Sequence, residues 1–159
     1  MALIQDLMET KLVVAEPTMT VRQISTLMDQ NGVGAVLIVE GSGEEATLLG
    51  LFSERDLIHR VVVPSLDPDT TSVASVMTKQ PVAVELGTHV RQCAELIRER
   101  GFRHLPVVQD GKPIGILSAR DFQQYVVNEL ETFIDQARYQ EELAEGRDPY
   151  DHFGGSYSK

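Results

Sequence analysis

The sequence predicts an α/β fold in which a strand–helix–strand–strand–helix unit occurs twice and a helical extension follows at the C-terminus. Three observations support this prediction. A frame of Gly, two apolar residues, Ser, any residue, Arg and Asp occurs at 50–56 and again at 115–121. Before this frame the two copies match at an offset of 69 (90 − 21), so that Val21-Arg22-Gln23 corresponds to Val90-Arg91-Gln92. Apolar runs typical of strands alternate in both copies with the i, i+3, i+4 apolar spacing of amphipathic helices.

The first helix of each copy follows a short strand, at 13–14 in the first copy and at 82–84 in the second. Thr20 and Gln23 form a capping box that begins the first helix, and Gly32 and Gly101 stand where glycine commonly ends one. The apolar stripes expected to face the core are Val21, Ile24, Leu27 and Met28 in one helix and Val90, Cys93, Ala94 and Ile97 in the other. Because Cys93 lies on such a stripe, we expect it to be structural rather than reactive.

Two strands follow that helix in each copy, and the second of them ends at the repeated serine. Their first members are the apolar runs at 35–39 and 105–108, which we expect to be buried. The offset falls to 65 (115 − 50) at the repeated frame, so the first copy contains four more residues (69 − 65), which we place in the Gly/Ser/Glu loop at 41–45. Pro106 has no amide hydrogen and is expected at an edge or at the start of a strand.

The last helix of the second copy continues well beyond the end of its counterpart. The apolar face that starts after Asp121 persists to Gly146, whereas the first copy stops at Pro64. The predicted organisation is a first repeat at 1–63, a linker at 64–72, a second repeat at 73–129, and a helical extension at 130–159 with a frayed tail from 148 onwards. Asp67 and Asp69 lie in the linker and are expected to be turn residues.

Composition and charge exclude several classes of protein. A hydrophobic fraction of 42% and a charged fraction of 24% are ordinary for a globular protein. The net charge of −10 argues against nucleic acid and anionic membranes as partners. The chain has a single cysteine, no basic-then-apolar signal segment at its N-terminus and no apolar run long enough to cross a bilayer. We therefore expect a cytoplasmic protein.

The repeated serines, Ser53 and Ser118, stand where a strand is followed by a helix, which is the N-cap position. Free backbone N–H groups and the positive end of the helix dipole make such a corner a natural anion site. The simpler interpretation is a capping box, in which the Asp three residues later reaches back to the cap. Capping does not require the recurring Arg55 and Arg120, which either bind phosphate or lie exposed on the helix and pair with neighbouring acids.

Three motifs cover most of the chain. They are Val73-x-x-Val76-Met77-Thr78, the run Gly101-Phe102-Arg103-His104-Leu105-Pro106-Val107-Val108, and the Gly-to-Asp frame that ends each copy. Through them the chain resembles a tandem pair of cystathionine-β-synthase (CBS) domains, often called a Bateman module, over residues 3–63 and 73–129. The first copy departs from the pattern, with Glu9 in place of Thr and Gly34-Ala35-Val36-Leu37 in place of Arg-His-Leu-Pro.

The resemblance implies two βαββα units related by a pseudo-twofold axis, with two clefts between them and dimerisation into a flat disc. It also implies an adenosine-containing ligand: AMP, ADP or ATP ahead of NAD and S-adenosylmethionine, with or without Mg²⁺, and with no cofactor required. By the family's pattern each copy supplies one residue for ribose, one for phosphate and one for the base: Asp56, Ser53 and Val13 in the first, Asp121, Ser118 and Val82 in the second. A carboxylate suits a ribose diol and repels phosphate, which agrees with this assignment.

Arg103, His104 and Pro106 complete the candidate ligand-binding residues. Arg103 and His104 begin a strand that we expect to pair antiparallel with the strand ending at Ser118, which would bring both side chains to Asp121. His104 either contacts the ligand there or is a half-buried residue whose hydrogen bonds are satisfied by the backbone.

The two clefts are not expected to bind nucleotide with equal affinity. Where the second copy has Arg103 and His104, the first has only Gly34 and Ala35. In an acidic protein, cationic donors near the phosphate should decide occupancy, so the sequence predicts tighter binding at Asp121 than at the first cleft.

The leading functional hypothesis is a stand-alone regulatory module that binds an adenine nucleotide between its repeats and transmits the bound state to a protein target. The alternative is a protein-interaction or scaffold module with empty clefts that acts through its C-terminal helix. An enzyme is not expected, because the sequence has no P-loop, no Gly-x-Ser-x-Gly and no His/Cys cluster with metal-ligand spacing. The distal apolar residues of the helix, Phe133, Ile134 and Ala137, predict a homodimer, since one small domain cannot cover them.

Overall fold

The computed structural model describes residues 2–147, so the predicted frayed tail at 148–159 lies outside the described residues. The strands are β1 Val14–Ala15, β2 Ala35–Glu40, β3 Thr47–Ser53, β4 Thr78–Lys79, β5 Val84–Glu85, β6 His104–Gln109 and β7 Lys112–Ser118. The helices are α1 Val21–Asn31, α2 Glu54–Asp56, α3 Val73–Val76, α4 Val90–Arg100 and α5 Ala119–Ala144. A π-helical segment, Leu57–Val62, continues α2. The chain divides into two compact units, of which the first ends at Asp121 and the second begins at Phe122.

Each copy has the predicted order of elements. β1, α1, β2, β3 and α2 form the first copy, and β5, α4, β6, β7 and the start of α5 form the second. The first helices end at Gly32 and Gly101, whose φ angles of 62° and 69° lie in the left-handed region that glycine favours. Six residues, 41–46, join β2 to β3 and two, 110–111, join β6 to β7. This confirms the predicted four-residue difference between the copies.

The two copies are interlocked, because the leading segment of each copy, which precedes its first helix, pairs with a strand of the other copy. The first sheet has the order β1-β2-β3-β4 and the second has the order β5-β6-β7. β4 belongs to the second copy by sequence, yet it pairs antiparallel with β3 of the first, with Leu51 opposite Thr78. The first copy contributes in return two isolated bridges, one between Glu9 and Ile116 of β7 and one between Leu3 and His89. The corner at the end of each of these strands is therefore bordered by the leading segment of the other copy.

The glycine that begins each repeated frame accommodates a methionine of the other copy. A Cβ atom on Gly50 would lie 3.0 Å from Cγ of Met77 and closer still to its sulfur. A Cβ atom on Gly115 would lie 3.0 Å from Cγ of Met8 and closer still to its sulfur. No larger residue fits at either position without displacing the methionine, so packing between the copies explains why this glycine recurs.

The core on the first sheet is built from both copies. Phe52 is a fully buried member of it. The other buried members from the first copy are Ala15, Val21, Ile24, Met28, Val36, Ile38 and Val61. Val73, Val76 and Met77 come from the segment that begins the second copy. Separating the copies would expose these three apolar side chains, so their burial stabilises the interlocked arrangement.

The expectation that Pro106 lies at an edge or a strand start is wrong. Pro106 is the third residue of β6, which is the central strand of its sheet. In the first copy the equivalent amide, that of Leu37 (106 − 69), donates to the carbonyl of Val13 at 3.1 Å. Because β5 pairs with β6 only from Val107 onwards, the second copy tolerates the loss of this one bond.

The helix α5 is continuous over its 26 residues, which confirms the predicted helical extension. At 1.5 Å per residue it is about 39 Å long. It carries large apolar side chains that are between 47% and 69% exposed, namely Val126, Val127, Leu130, Phe133 and Ile134. Within residues 2–147 no helix combines the length and the apolar character that crossing a membrane requires.

Candidate functional site

Both strand-to-helix corners form the predicted capping box. The carboxylate of Asp56 accepts hydrogen bonds from the amide of Ser53 at 3.0 Å and from its hydroxyl at 3.1 Å, and the amide of Asp56 donates to Ser53 Oγ at 3.3 Å. The corresponding distances for Ser118 and Asp121 are 2.8, 2.8 and 3.2 Å. The capping interpretation is therefore confirmed at both corners, and each serine hydroxyl already donates to the neighbouring carboxylate.

Asp56 has more partners than Asp121. It is only 7% exposed, and Thr78 donates to it from Oγ1 at 3.3 Å. Nε of Arg60 lies 3.5 Å from the same carboxylate, while another nitrogen of that guanidinium donates to the carbonyl of Met77 at 2.7 Å. Asp121 is half-buried, and in the part of the chain that the structure describes it has no hydrogen bond beyond its capping box. Asp56 is thus held between the two copies, because Thr78 and Met77 belong to the second.

A cleft of about 300 Å³ opens at the Asp56 corner, and both copies line it. The first copy contributes Ser53, Arg55, Asp56 and Arg60. The second copy contributes Thr78, Val82, Arg100, Arg103 and His104. The volume lies at the lower end of the range that small-molecule sites occupy.

Arg103 and His104, which the sequence predicts near Asp121, line this cleft. The predicted strand pairing is present, since His104 lies opposite Ser118 and the amide of Ala119 donates to the carbonyl of Arg103 at 2.8 Å. The backbone of these residues is therefore at the expected corner. Their side chains nevertheless line the cleft of the other copy.

The physical reason is that the starts of β2 and β6 face each other. Gly34 is the first-copy equivalent of Arg103 (103 − 69), and a Cβ atom placed on it would lie 3.4 Å from the ring of His104. Because Gly34 has no side chain, His104 extends across it towards Glu54 and the Asp56 corner. A small residue in one copy thus makes room for a large one from the other.

Four arginines and only two carboxylates, Asp56 and Glu54, line this cleft, although the chain carries a net charge of −10. Arg60 is engaged by Asp56 and by backbone carbonyls. Arg55, Arg100 and Arg103 form no hydrogen bond or ion pair with any residue of the described range 2–147. Three guanidinium groups are therefore available to an anion that enters the cleft.

His104 adds a group whose charge depends on pH. Burial lowers the pKa of His104, the negative charge of Glu54 opposes that shift, Arg103 reinforces it and Asp121 opposes it. The imidazole is therefore mostly neutral at pH 7, where it can donate or accept a single hydrogen bond. On acidification it becomes a further cation beside the arginines.

Val13 and Val82, the predicted base-binding residues, differ in what their carbonyls contact. The carbonyl of Val13 accepts the amide of Leu37 at 3.1 Å. The equivalent donor for Val82 would be Pro106, which has no amide hydrogen. Val82 borders the Asp56 cleft and is 39% exposed, so its carbonyl can accept a hydrogen bond from a ligand.

Glu54, Arg60, Thr78 and Arg100 are among the lining residues that sequence reasoning missed. Arg60 stands four residues after Asp56, and this helical spacing was a usable signal for a contact between them. Thr78 belongs to one of the three motifs, but it reaches the cleft only through the pairing of β4 with β3. Arg100 is the last residue of α4 and reaches the cleft only through the tertiary fold. Arg120, a predicted phosphate ligand, is exposed and has no ion pair within residues 2–147.

Residues 4–63 and 73–128 match the family described as the CBS domain. The uncharacterized protein MK0525 of Methanopyrus kandleri is 33% identical over 136 residues, which are 83% of this chain and 67% of that protein. The CBS domain-containing protein CBSX3, mitochondrial, of Arabidopsis thaliana is 33% identical over 104 residues, and this match spans 64% of the chain and half (50%) of that protein. Among solved structures, the CBS-domain containing protein ATU1752 from Agrobacterium tumefaciens has a TM-score of 0.69 at 26% identity, covering 78% of this chain and 98% of that one.

Proposed function

The chain belongs to the CBS-domain family, and on this basis we propose that it is a regulatory module that binds an adenine nucleotide in the cleft of Asp56. The observation that carries the proposal is the set of three unpaired arginines, Arg55, Arg100 and Arg103, around one cleft of an acidic protein. Unpaired guanidinium groups are repelled by one another, and phosphate groups would neutralise them. AMP, ADP and ATP are the favoured ligands, ahead of NAD and S-adenosylmethionine.

The neutral end of a nucleotide also finds complementary groups in this cleft. Asp56 and Thr78 offer a carboxylate and a hydroxyl to the two ribose hydroxyls. The free carbonyl of Val82 can accept the exocyclic amino group of adenine. Ser53 would approach the phosphate only if its hydroxyl turned away from Asp56.

Regulation follows from the way in which the cleft is built. Its walls come from both copies, and a ligand that touches both stabilises one relative placement of the copies over others. We propose that a partner protein responds to that placement. We assign a binding rather than a catalytic role to this cleft.

Thermal denaturation tests the proposal. A ligand that binds only the folded chain at 100 times its Kd adds about 2.7 kcal/mol of stability, which for a protein of this size raises Tm by about 5–10 °C. We expect such a rise with AMP, ADP or ATP, with or without Mg²⁺, and a smaller one with adenosine or with inorganic phosphate alone. Unchanged Tm values with all three nucleotides and with NAD and S-adenosylmethionine at millimolar concentration would contradict the proposal.

A second function is favoured by the exposed apolar side chains of α5. Leu130, Phe133 and Ile134 are 56%, 69% and 53% exposed, and they share one face of the helix with Ala137. Such a face is unfavourable in water unless another surface covers it. We propose that a second copy of the chain does so and that the protein is a homodimer.

A further inference from the structure

We infer that each chain binds one nucleotide, in the cleft of Asp56, and that the Asp121 corner does not bind nucleotide. This inference rests on the proposed function. The internal repeat supports it, because the same capping box occurs at both corners and the surrounding residues correspond at a fixed offset of 69 (103 − 34). The residues that both corners share are needed for the fold. The residues that occur at only one corner are available for ligand recognition.

The first difference lies at the ribose position. The hydroxyl of Thr78 donates a hydrogen bond to Asp56, and its oxygen can still accept one from a sugar hydroxyl. Glu9 takes its place in the other copy, paired with Ile116 as β4 is paired with β3. An ionised glutamate cannot donate, and the Glu9 carboxylate is exposed and accepts the amide of Lys11 at 2.7 Å. The Asp121 corner therefore has no counterpart of the Thr78 hydroxyl to offer a ribose.

The second difference lies at the phosphate position. Arg100, Arg103 and His104 line the Asp56 cleft. Their equivalents in the first copy are uncharged and smaller, namely Asn31, Gly34 and Ala35. The helix N-terminus and one arginine recur at both corners, so they do not distinguish them. The two arginines and the histidine do, and each charge-assisted hydrogen bond from an arginine to phosphate changes affinity by about tenfold or more.

The third difference lies at the base position and has a backbone cause. In the first copy, strand pairing uses the carbonyl of Val13, which accepts the amide of Leu37. In the second copy Pro106 removes the competing donor and leaves the carbonyl of Val82 open at the cleft. The proline thus removes one hydrogen bond of the central strand and leaves a carbonyl acceptor for the base. We therefore assign Pro106 as a specificity-determining residue that acts through Val82.

Isothermal titration of the full chain with ADP tests the inference. We expect one molecule of ADP per chain. Asp56→Asn and Asp121→Asn are matched variants, since each removes the same charge from the same kind of capping box. Asp56→Asn should weaken ADP binding by about tenfold or more, and Asp121→Asn should leave both affinity and stoichiometry unchanged.

Two further variants keep the test decisive if Asp56→Asn fails to fold. Pro106→Leu restores the amide that the first copy has at Leu37, and Thr78→Glu introduces the side chain that the first copy has at Glu9. Each should weaken ADP binding while far-ultraviolet circular dichroism stays unchanged. Two equal sites per chain, or loss of binding in Asp121→Asn alone, would overturn the inference and leave the proposed function standing. No heat with AMP, ADP or ATP would overturn both.

Discussion

Replacing Gly50 by alanine tests the interlock between the two copies. The added Cβ atom would lie 3.0 Å from Cγ of Met77 and 3.0 Å from the carbonyl oxygen of Thr78, and closer still to the methionine sulfur. Met77 is 8% exposed, so its side chain has little free space into which to move. The carbonyl belongs to the backbone of β4, so the new methyl group must push β4 away from β3.

The size of the effect can be worked from these contacts. Overpacking of a buried site costs about 1–3 kcal/mol, which corresponds to a Tm lower by about 2–12 °C for a protein of this size. Gly34→Ala is the matched control. Its Cβ atom would meet only side-chain atoms of His104 and Glu54, at ordinary distances of 3.4 and 3.6 Å. We expect that variant to change stability by less than about 1 kcal/mol.

Urea unfolding of single and double variants measures the coupling. Met77→Ala alone should cost about 2–5 kcal/mol, because it leaves a cavity against β3. The double variant Gly50→Ala/Met77→Ala should cost less than the sum of the two, since the methyl group then occupies space that the methionine has left. A coupling energy of about 0.5–3 kcal/mol is expected. Additive losses, or a Gly50→Ala variant as stable as the parent, would refute the packing between copies.

Three further outcomes are expected. Arg103→Ala should weaken the binding of ATP more than that of AMP in calorimetry, because the phosphates beyond the first depend most on the unpaired cations. Equal losses of affinity for the two nucleotides would contradict this. Burial lowers the pKa of His104 below its unfolded value, so the folded protein loses stability as pH falls below about 6.5, where the unfolded chain takes up the proton more readily. In urea unfolding, His104→Gln should therefore lose less stability than the parent between pH 7 and 5. Parallel pH curves for the two proteins would count against this. Phe133→Glu should convert the homodimer to monomer in sedimentation while Thr132→Glu, on the opposite side of α5, should not; a parent that is already monomeric at micromolar concentration would refute the proposed dimer.

The internal repeat made much of the fold predictable from the sequence. Glycines at 32 and 101, the capping box at Thr20 and the four-residue loop difference are local features, and local features are visible in a single sequence. The capping boxes of Ser53 and Ser118 belong to the same class. Each depends on residues within a few positions of one another.

The composition of the site was less predictable because it depends on contacts between the copies. Strand pairing correctly placed the backbone of His104 opposite Ser118, but nothing in the sequence showed that Gly34 would lie beneath its ring. The pairing of β4 with β3 likewise brought Thr78 to Asp56 from 22 positions away. The sequence-based prediction that the Asp121 cleft is the stronger one stays untested, but the side chains on which it rested line the Asp56 cleft. We now expect the Asp56 cleft to be the stronger.

A crystal structure of the chain grown with ADP is the most direct test of the account. We predict density for one nucleotide per chain in the cleft of Asp56, with the ribose at Asp56 and Thr78, the adenine amino group at the carbonyl of Val82 and the diphosphate facing Arg103. Density at the Asp121 corner with the Asp56 cleft empty would contradict the assignment of the site. Absence of nucleotide from both corners, at ADP concentrations far above those of the protein, would contradict the proposed function itself.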